Sequence, residues 1–218
     1  MSLQPDILPD NRARLIEAAA EAFYASGYTA SMETIAARAG VAKQTLYNHF
    51  ASKDLLFAEV ISRDTEHMVT ALGDGDGDLR TRLIRFATAF RTLVLGPRCV
   101  ALYRTLIAEA MRFPEMMPAF YESGPAHTLR QLAGLFESEM RAGRLEHNGP
   151  NAAQFAADML LGMLTGSERT RYLLGVEKTL PADDYIRVER IIDAFLRIYP
   201  PQTNVGERPE SELNQDDF

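Results

Sequence analysis

Thr34-Ile-Ala-Ala-Arg-Ala-Gly-Val-Ala-Lys-Gln-Thr-Leu-Tyr-Asn-His-Phe50 carries the strongest structural pattern in the chain. Its spacing predicts a short helix from about Thr34 to Ala39, a turn at Gly40 and a second short helix from about Lys43 to His49. That is the pattern of a helix-turn-helix, whose second helix enters the major groove of DNA. Ala36 is small enough for the helices to cross closely, Gly40 tolerates the positive φ of a tight turn, and Val41, Leu46 and Phe50 are apolar anchors. Each residue of a helix advances about 100°, so Leu46 and Phe50 share one side of the second helix. Gln44, Tyr47 and Asn48 share the other, with Thr45 and His49 at the flanks. The outward side carries no acid. Gln44 and Asn48 can each bond an adenine in bidentate fashion, Thr45 can touch a thymine methyl, and Lys43, Tyr47, His49 and Lys53 can reach phosphate oxygens. Crossed helices of this kind are also plain core architecture, so the surroundings must decide.

Upstream, Asn11 to Ser26 reads as a helix with Leu15, Ile16, Ala19, Ala20 and Phe23 on one side, stopping at Gly27. Ser31 is a cap for the next helix, and a helix N-terminus there can receive a phosphate. Glu33 suits the helix dipole in that first turn but sits awkwardly if that end approaches DNA. Downstream, Ser52 caps a long helix running to about Leu72, the covalent rod between the two halves of the chain.

Gly27-Tyr28, Ser31-Met32, Ile35-Ala36, Ala39-Gly40-Val41, Lys43, Thr45-Leu46-Tyr47, His49-Phe50, Ser52-Lys53 and Leu55-Leu56-Phe57 together resemble the N-terminal domain of the TetR family of transcriptional regulators, without a gap over roughly residues 11 to 60. The resemblance implies a three-helix DNA-binding head on a larger helical domain that binds a small molecule and dimerises. One departure is Ala42, where many members carry Ser or Thr; without that hydroxyl the second helix must be capped from elsewhere. Glu109-Ala-Met-Arg112-Phe-Pro114-Glu115, then Phe120-Tyr121 and Gly124-Pro125, resemble the C-terminal domain of the AefR-like branch of the same family.

The chain of 218 residues carries a net charge of −7, which by itself argues against nucleic acid as a partner. The distribution softens that objection: residues 11 to 53 hold five basic side chains against three acidic, whereas residues 201 to 218 hold five acidic against Arg208. Non-specific affinity for DNA should therefore be weak and salt-sensitive, and specificity must lean on base contacts and paired binding. The single Cys99 excludes an internal disulfide and a Cys-based zinc cluster; it reads as a small buried hydrophobe, with a thiol sensor as the alternative. No stretch has the 18 or so apolar residues of a membrane span, and no N-terminal run reads as a leader, so the cytoplasm is the expected location.

Residues 1 to 9 read as a loose arm, 1 to 54 as the DNA-binding domain, 55 to 200 as the effector-binding and dimerisation domain, and 201 to 218 as a disordered acidic tail. Asp74-Gly-Asp-Gly-Asp78 invites a calcium reading, but a loop begun at Asp74 has Leu79 and Arg85 where glycine and glutamate are needed, so it is read as a linker. Periodic apolar segments follow at about 78 to 95, 98 to 112, 115 to 142, 151 to 174 and 182 to 199, the third interruptible at Gly124-Pro125. Alternation of period two is absent. The expectation is an all-α chain of about nine helices.

In the segment 151 to 174, Phe155, Met159, Gly162, Met163 and Gly166 share one apolar face, and Ala157, Leu160, Leu161 and Leu164 another. One face can pack at home and the other on a partner, so Leu160, Leu161 and Leu164, with Ile191 and Phe195 of the last helix, are expected at a two-fold dimer interface; internal core in a monomer is the alternative. Phe86, Phe90, Tyr103, Ile107, Met111, Phe113, Met117, Phe120 and Tyr121 form a Met-rich aromatic set suited to an apolar effector, though such residues are more often core. Glu109 either points at that ligand or pairs with Arg104 or Arg112. The expected function is a homodimeric repressor on a pseudo-palindromic operator, released by a small, largely apolar effector, with no cofactor, metal or membrane partner. A helical enzyme is the rival, but no nucleophile elbow, phosphate loop or paired metal-binding histidines occur.

Overall fold

A computed structural model of the chain describes residues 10–73, 77–147 and 149–201. Among them are eleven α-helices and two short 3-10 turns, Gly27–Thr29 and Thr70–Leu72, with no strand. The helices are α1 (Asn11–Ser26), α2 (Met32–Ala39), α3 (Lys43–His49), α4 (Lys53–Val69), α5 (Leu79–Val94), α6 (Pro97–Glu109), α7 (Met116–Ser123), α8 (Pro125–Arg141), α9 (Ala152–Thr165), α10 (Glu168–Leu174) and α11 (Asp184–Ile198). The count exceeds the expected nine because two segments divide. Pro125 has no backbone N–H and disfavours helix at the residue before it, which separates α7 from α8 at Gly124. The segment 151 to 174 breaks between Thr165 and Glu168. The expected arm at 1 to 9 and all of the acidic tail but its first residue lie outside the described residues, as do three residues of the linker. Asp78, at the end of that linker, accepts from the Thr81 N–H at 2.9 Å and so caps α5.

Caps fix the head. The Ser31 hydroxyl accepts from the Thr34 N–H at 3.1 Å to start α2, and the Ser52 hydroxyl accepts from Leu55 N–H at 3.2 Å to start α4. Gly40 ends α2 with φ 66, while its N–H and that of Val41 reach back to Ala37 and Ala36. That double closure requires the left-handed conformation a side chain resists, and it sets the angle at which α3 leaves.

Two large apolar cores are stacked along the chain beside a small cluster of Leu95, Val100 and Tyr172, and α4 belongs to both large ones. Leu15, Phe23, Ile35, Leu46 and Phe50 form the head's core, which continues through Leu56, Phe57 and Val60 of α4 into Leu102 and Leu106 of α6 and Phe120 of α7. Met68 and Val69, at the far end of α4, join the second core with α5, α8, α9 and α11. The head therefore rests directly on the body. At the contact, Gly27 has φ 58 and a Cβ there would stand 2.1 Å from Cγ2 of Thr105 on α6.

Candidate nucleic-acid interface and body cavity

The reading helix is pinned from behind. Leu46 is fully buried and Phe50 nearly so, whereas Lys43, Gln44, Tyr47, Asn48 and His49 are exposed and Thr45 is half-buried. The Gln44 amide donates to the Asn48 side-chain oxygen at 3.0 Å, one turn apart, so two amides capable of adenine readout lie side by side. Lys43 sits 5.8 Å from the centre of the Tyr47 ring and is ion-paired with Glu33 of α2. α3 starts at Ala42 without a side-chain cap, as that residue's lack of a hydroxyl requires.

Two of the expected contact residues do other work in the free chain. Ser31 is spent on capping α2, although it remains exposed. Lys53 is turned inward: its ammonium donates to the Tyr28 carbonyl and lies 4.2 Å from the Tyr28 ring centre. Burial there lowers its pKa. Tyr28 in turn donates its hydroxyl to Asp54 and packs edge-on against Phe57 and Phe113. Lys53 thus serves the joint between head and body, and its expected role on phosphate is not supported by its placement.

The body holds a cavity of about 360 Å³, within the range of small-molecule sites. Of the nine residues expected at an effector site, Phe90, Tyr103, Phe120 and Tyr121 line it. The other five do not. Phe86 stacks on Phe90 but is fully buried one turn deeper in the core, Phe113 and Met117 pack at the head contact, and Ile107 and Met111 are 62% and 95% exposed. Glu109 lies 3.6 Å from Arg112, while Arg104 donates to the carbonyls of Leu173 and Tyr172.

Several wall residues escaped the sequence reading because they come from outside the expected set of helices. Tyr24 belongs to α1, in the head, and donates to Asp64 of α4 at 2.6 Å; both face the cavity. Burial and the neighbouring Asp64 carboxylate push the Tyr24 phenol well above its usual range, so it stays protonated as a donor. Thr65, Thr128 and Thr165 each return their hydroxyl to the carbonyl one turn back in their own helix, which leaves methyl groups for the wall. Arg169 lies 4.1 Å from the Tyr103 ring centre, and Asp158 adds a carboxylate. The result is an aromatic and aliphatic chamber with a few polar groups. Among the described residues no three His, Cys, Asp or Glu side chains converge as metal ligands, and no helix is long and apolar enough to cross a membrane.

The residues expected at a dimer interface are mostly unavailable to a partner. Leu160, Leu164 and Phe195 are fully buried in the chain's own second core, Ile191 is half-buried against it, and Leu161 lines the cavity. The opposite face of α9 is the exposed one: Phe155 is 65% exposed, and a Cβ at Gly162 would meet nothing within 4 Å.

A helix-turn-helix head seated on a helical body that holds an apolar cavity defines an all-helical architecture of the DNA-binding type. Residues 15–60 match the model of the bacterial regulatory proteins of the tetR family, and residues 81–201 match that of the AefR-like transcriptional repressor C-terminal domain. The chain belongs to the TetR family and is a DNA-binding transcriptional regulator, not an enzyme. A Mesorhizobium loti protein described as a TetR-family transcriptional regulator superposes with a TM-score of 0.70 at 28% identity, over 87% of this chain and 96% of that one. The flavonoid-responsive regulator FrrA does so with a TM-score of 0.66 at 31% identity, over 88% and 98%. The transcriptional activator FasR of Mycolicibacterium smegmatis is 42% identical over 64 residues, which span only 29% of each chain.

Proposed function

We propose that the protein is a homodimeric repressor whose two copies of α3 read successive major grooves of a pseudo-palindromic operator, and that an effector in the body cavity releases it. The observation that carries this reading is the cavity wall itself. Tyr24 of α1 and Asp64 of α4 belong to the helices that position the head, and both face the ligand space. A ligand that separates them shifts the two supports of α3 relative to each other. Release requires that the ligand bind better to the arrangement whose heads are wrongly spaced, since equal affinity would shift nothing.

The matched C-terminal model is that of repressors, which favours repression over the activation for which FasR is named. Aromatic walls and few polar groups suit a planar, largely apolar effector; flavonoids are the first class to test, because FrrA is named for its response to them. The two-fold contact is assigned to the outward stripe of α9, Phe155, Met159 and Gly162, in place of the buried face. Gly162 also borders the cavity, so a partner there would sit at its rim.

The test is a gel shift on DNA flanking the gene at two salt concentrations, with and without a flavonoid. Gln44→Ala and Asn48→Ala should each cost about 1–3 kcal/mol and relax specificity at one base position. Phe155→Glu should give a monomer by sedimentation and weaken operator binding. Unaltered operator affinity in both amide variants would remove α3 from the role of reading helix.

A further inference from the structure

The head between residues 10 and 60 has five basic Lys and Arg side chains, and each is engaged within the chain. Arg12 pairs with Glu59 at 2.5 Å and Arg38 with Glu21 at 3.3 Å, while Arg14 donates to the Ala39 carbonyl at 2.5 Å. Lys53 is held by the Tyr28 carbonyl, and Lys43 by Glu33. Arg12, Arg14 and Arg38 border a groove that no residue of α3 lines. The Lys43–Glu33 pair differs in place: it joins the first residue of α3 to the first turn of α2, at the end of a recognition helix that meets base edges in a helix-turn-helix. Both side chains are more than half exposed, at 56% and 58%, so this is a solvated pair that DNA can open and not a buried strut.

We infer that Glu33 is an electrostatic brake on sequence-independent DNA binding: it occupies the only Lys or Arg of α3 in the free protein and stays beside the phosphates once that cation is surrendered. The inference rests on α3 being the reading helix. Affinity for DNA of any sequence comes from counterions released as phosphates are neutralised. A lysine that exchanges a carboxylate for a phosphate gains less than a free one, and the abandoned carboxylate repels. Gln44 and Asn48 are neutral, so base readout is not weakened in the same way. A regulator built like this leaves bulk DNA readily and discriminates through its amides.

The full chain, Glu33→Gln, Lys43→Gln and the double variant are titrated against a fluorescent duplex of mixed sequence across a salt series, after thermal melts confirm that all four fold alike. Glu33→Gln should bind about two- to fivefold more tightly at low salt. Its plot of log affinity against log salt should steepen by up to about 0.9, the contribution of one phosphate. In the Lys43→Gln background the gain should shrink to the smaller part that repulsion alone supplies. Unchanged or weaker binding by Glu33→Gln overturns the brake. An equal gain with and without Lys43 also overturns it, because that shows plain repulsion without the pair. Failure of the reading helix looks different: Gln44→Ala and Asn48→Ala would bind the flanking DNA as well as the wild type does. A wild-type chain that binds no duplex at any salt overturns both.

Discussion

Gly27 is where the head and the body meet through a single missing side chain. Its φ of 58 and ψ of −155 fall in a region almost closed to other residues, and the methyl of Thr105 fills the space a Cβ would need. Gly27→Ala should lower stability by about 3 kcal/mol, strain and overlap together, as read by urea unfolding. Adding Thr105→Ser, which deletes the obstructing methyl, should restore part of that loss; no recovery would place the whole cost in the backbone. Cys99 is the other residue whose environment decides its chemistry. It sits on the cavity wall, where burial pushes its thiol up to about 11. At pH 8 that leaves about a hundredfold less thiolate than an ordinary cysteine offers. Iodoacetamide should label the native chain far more slowly than the urea-unfolded one, and equal rates would restore the thiol-sensor alternative.

At the scale of elements, the break between α9 and α10 is held by one buried arginine that apolar periodicity does not reveal. Arg91 of α5 is fully buried; it donates to the Leu164 carbonyl at the end of α9, to Glu168 at the start of α10 at 2.9 Å, and to Asp184 at the start of α11 at 2.5 Å. Arg91→Met leaves Asp184 without its cation and Glu168 with only the more exposed Arg171 and Arg187, and should cost about 3–5 kcal/mol in chemical unfolding. A loss below about 1 kcal/mol would mean that water already serves those carboxylates. This arginine also shows why some of the fold was legible in sequence and some was not. The head was readable because capping hydroxyls, Gly40 and the Leu46 and Phe50 anchors are local features. In α9 the two apolar faces were equally readable, yet periodicity cannot say which one turns toward the chain's own core, and Leu160 and Leu164 took that place. The cavity was half legible for a related reason: Phe90 and Tyr103 carry an aromatic pattern, whereas Tyr24 and Asp64 meet across 40 residues of chain.

For the molecule as a whole, charge placement sets both its acid sensitivity and its grip on DNA. Lys43 beside Glu33, Arg80 beside Asp193 and the Thr81 group bonded to Asp78 hold those three carboxyls below their ordinary values. Groups held lower in the folded chain than in the unfolded one lend stability that is complete above the usual carboxylate range. It fades as pH falls through their folded values. Melting temperature should change little on their account between pH 5.5 and 7 and drop below about pH 4. A melting temperature that keeps rising as the pH is lowered through that range would contradict the sign. The stacked cores make α4 the element common to head and body, so a ligand near Asp64 and a duplex under α3 act on one connected framework.

The most direct measurement is a nuclease footprint of the protein on the DNA flanking its gene, with Asn48→Ala in parallel. Two protected half-sites related by a two-fold axis and centred about 34 Å, or a multiple of that, apart are expected, both needing more protein to appear in the variant. A single unsymmetric patch, or a footprint identical in the variant, would contradict the assignment of α3 as the helix that reads the operator.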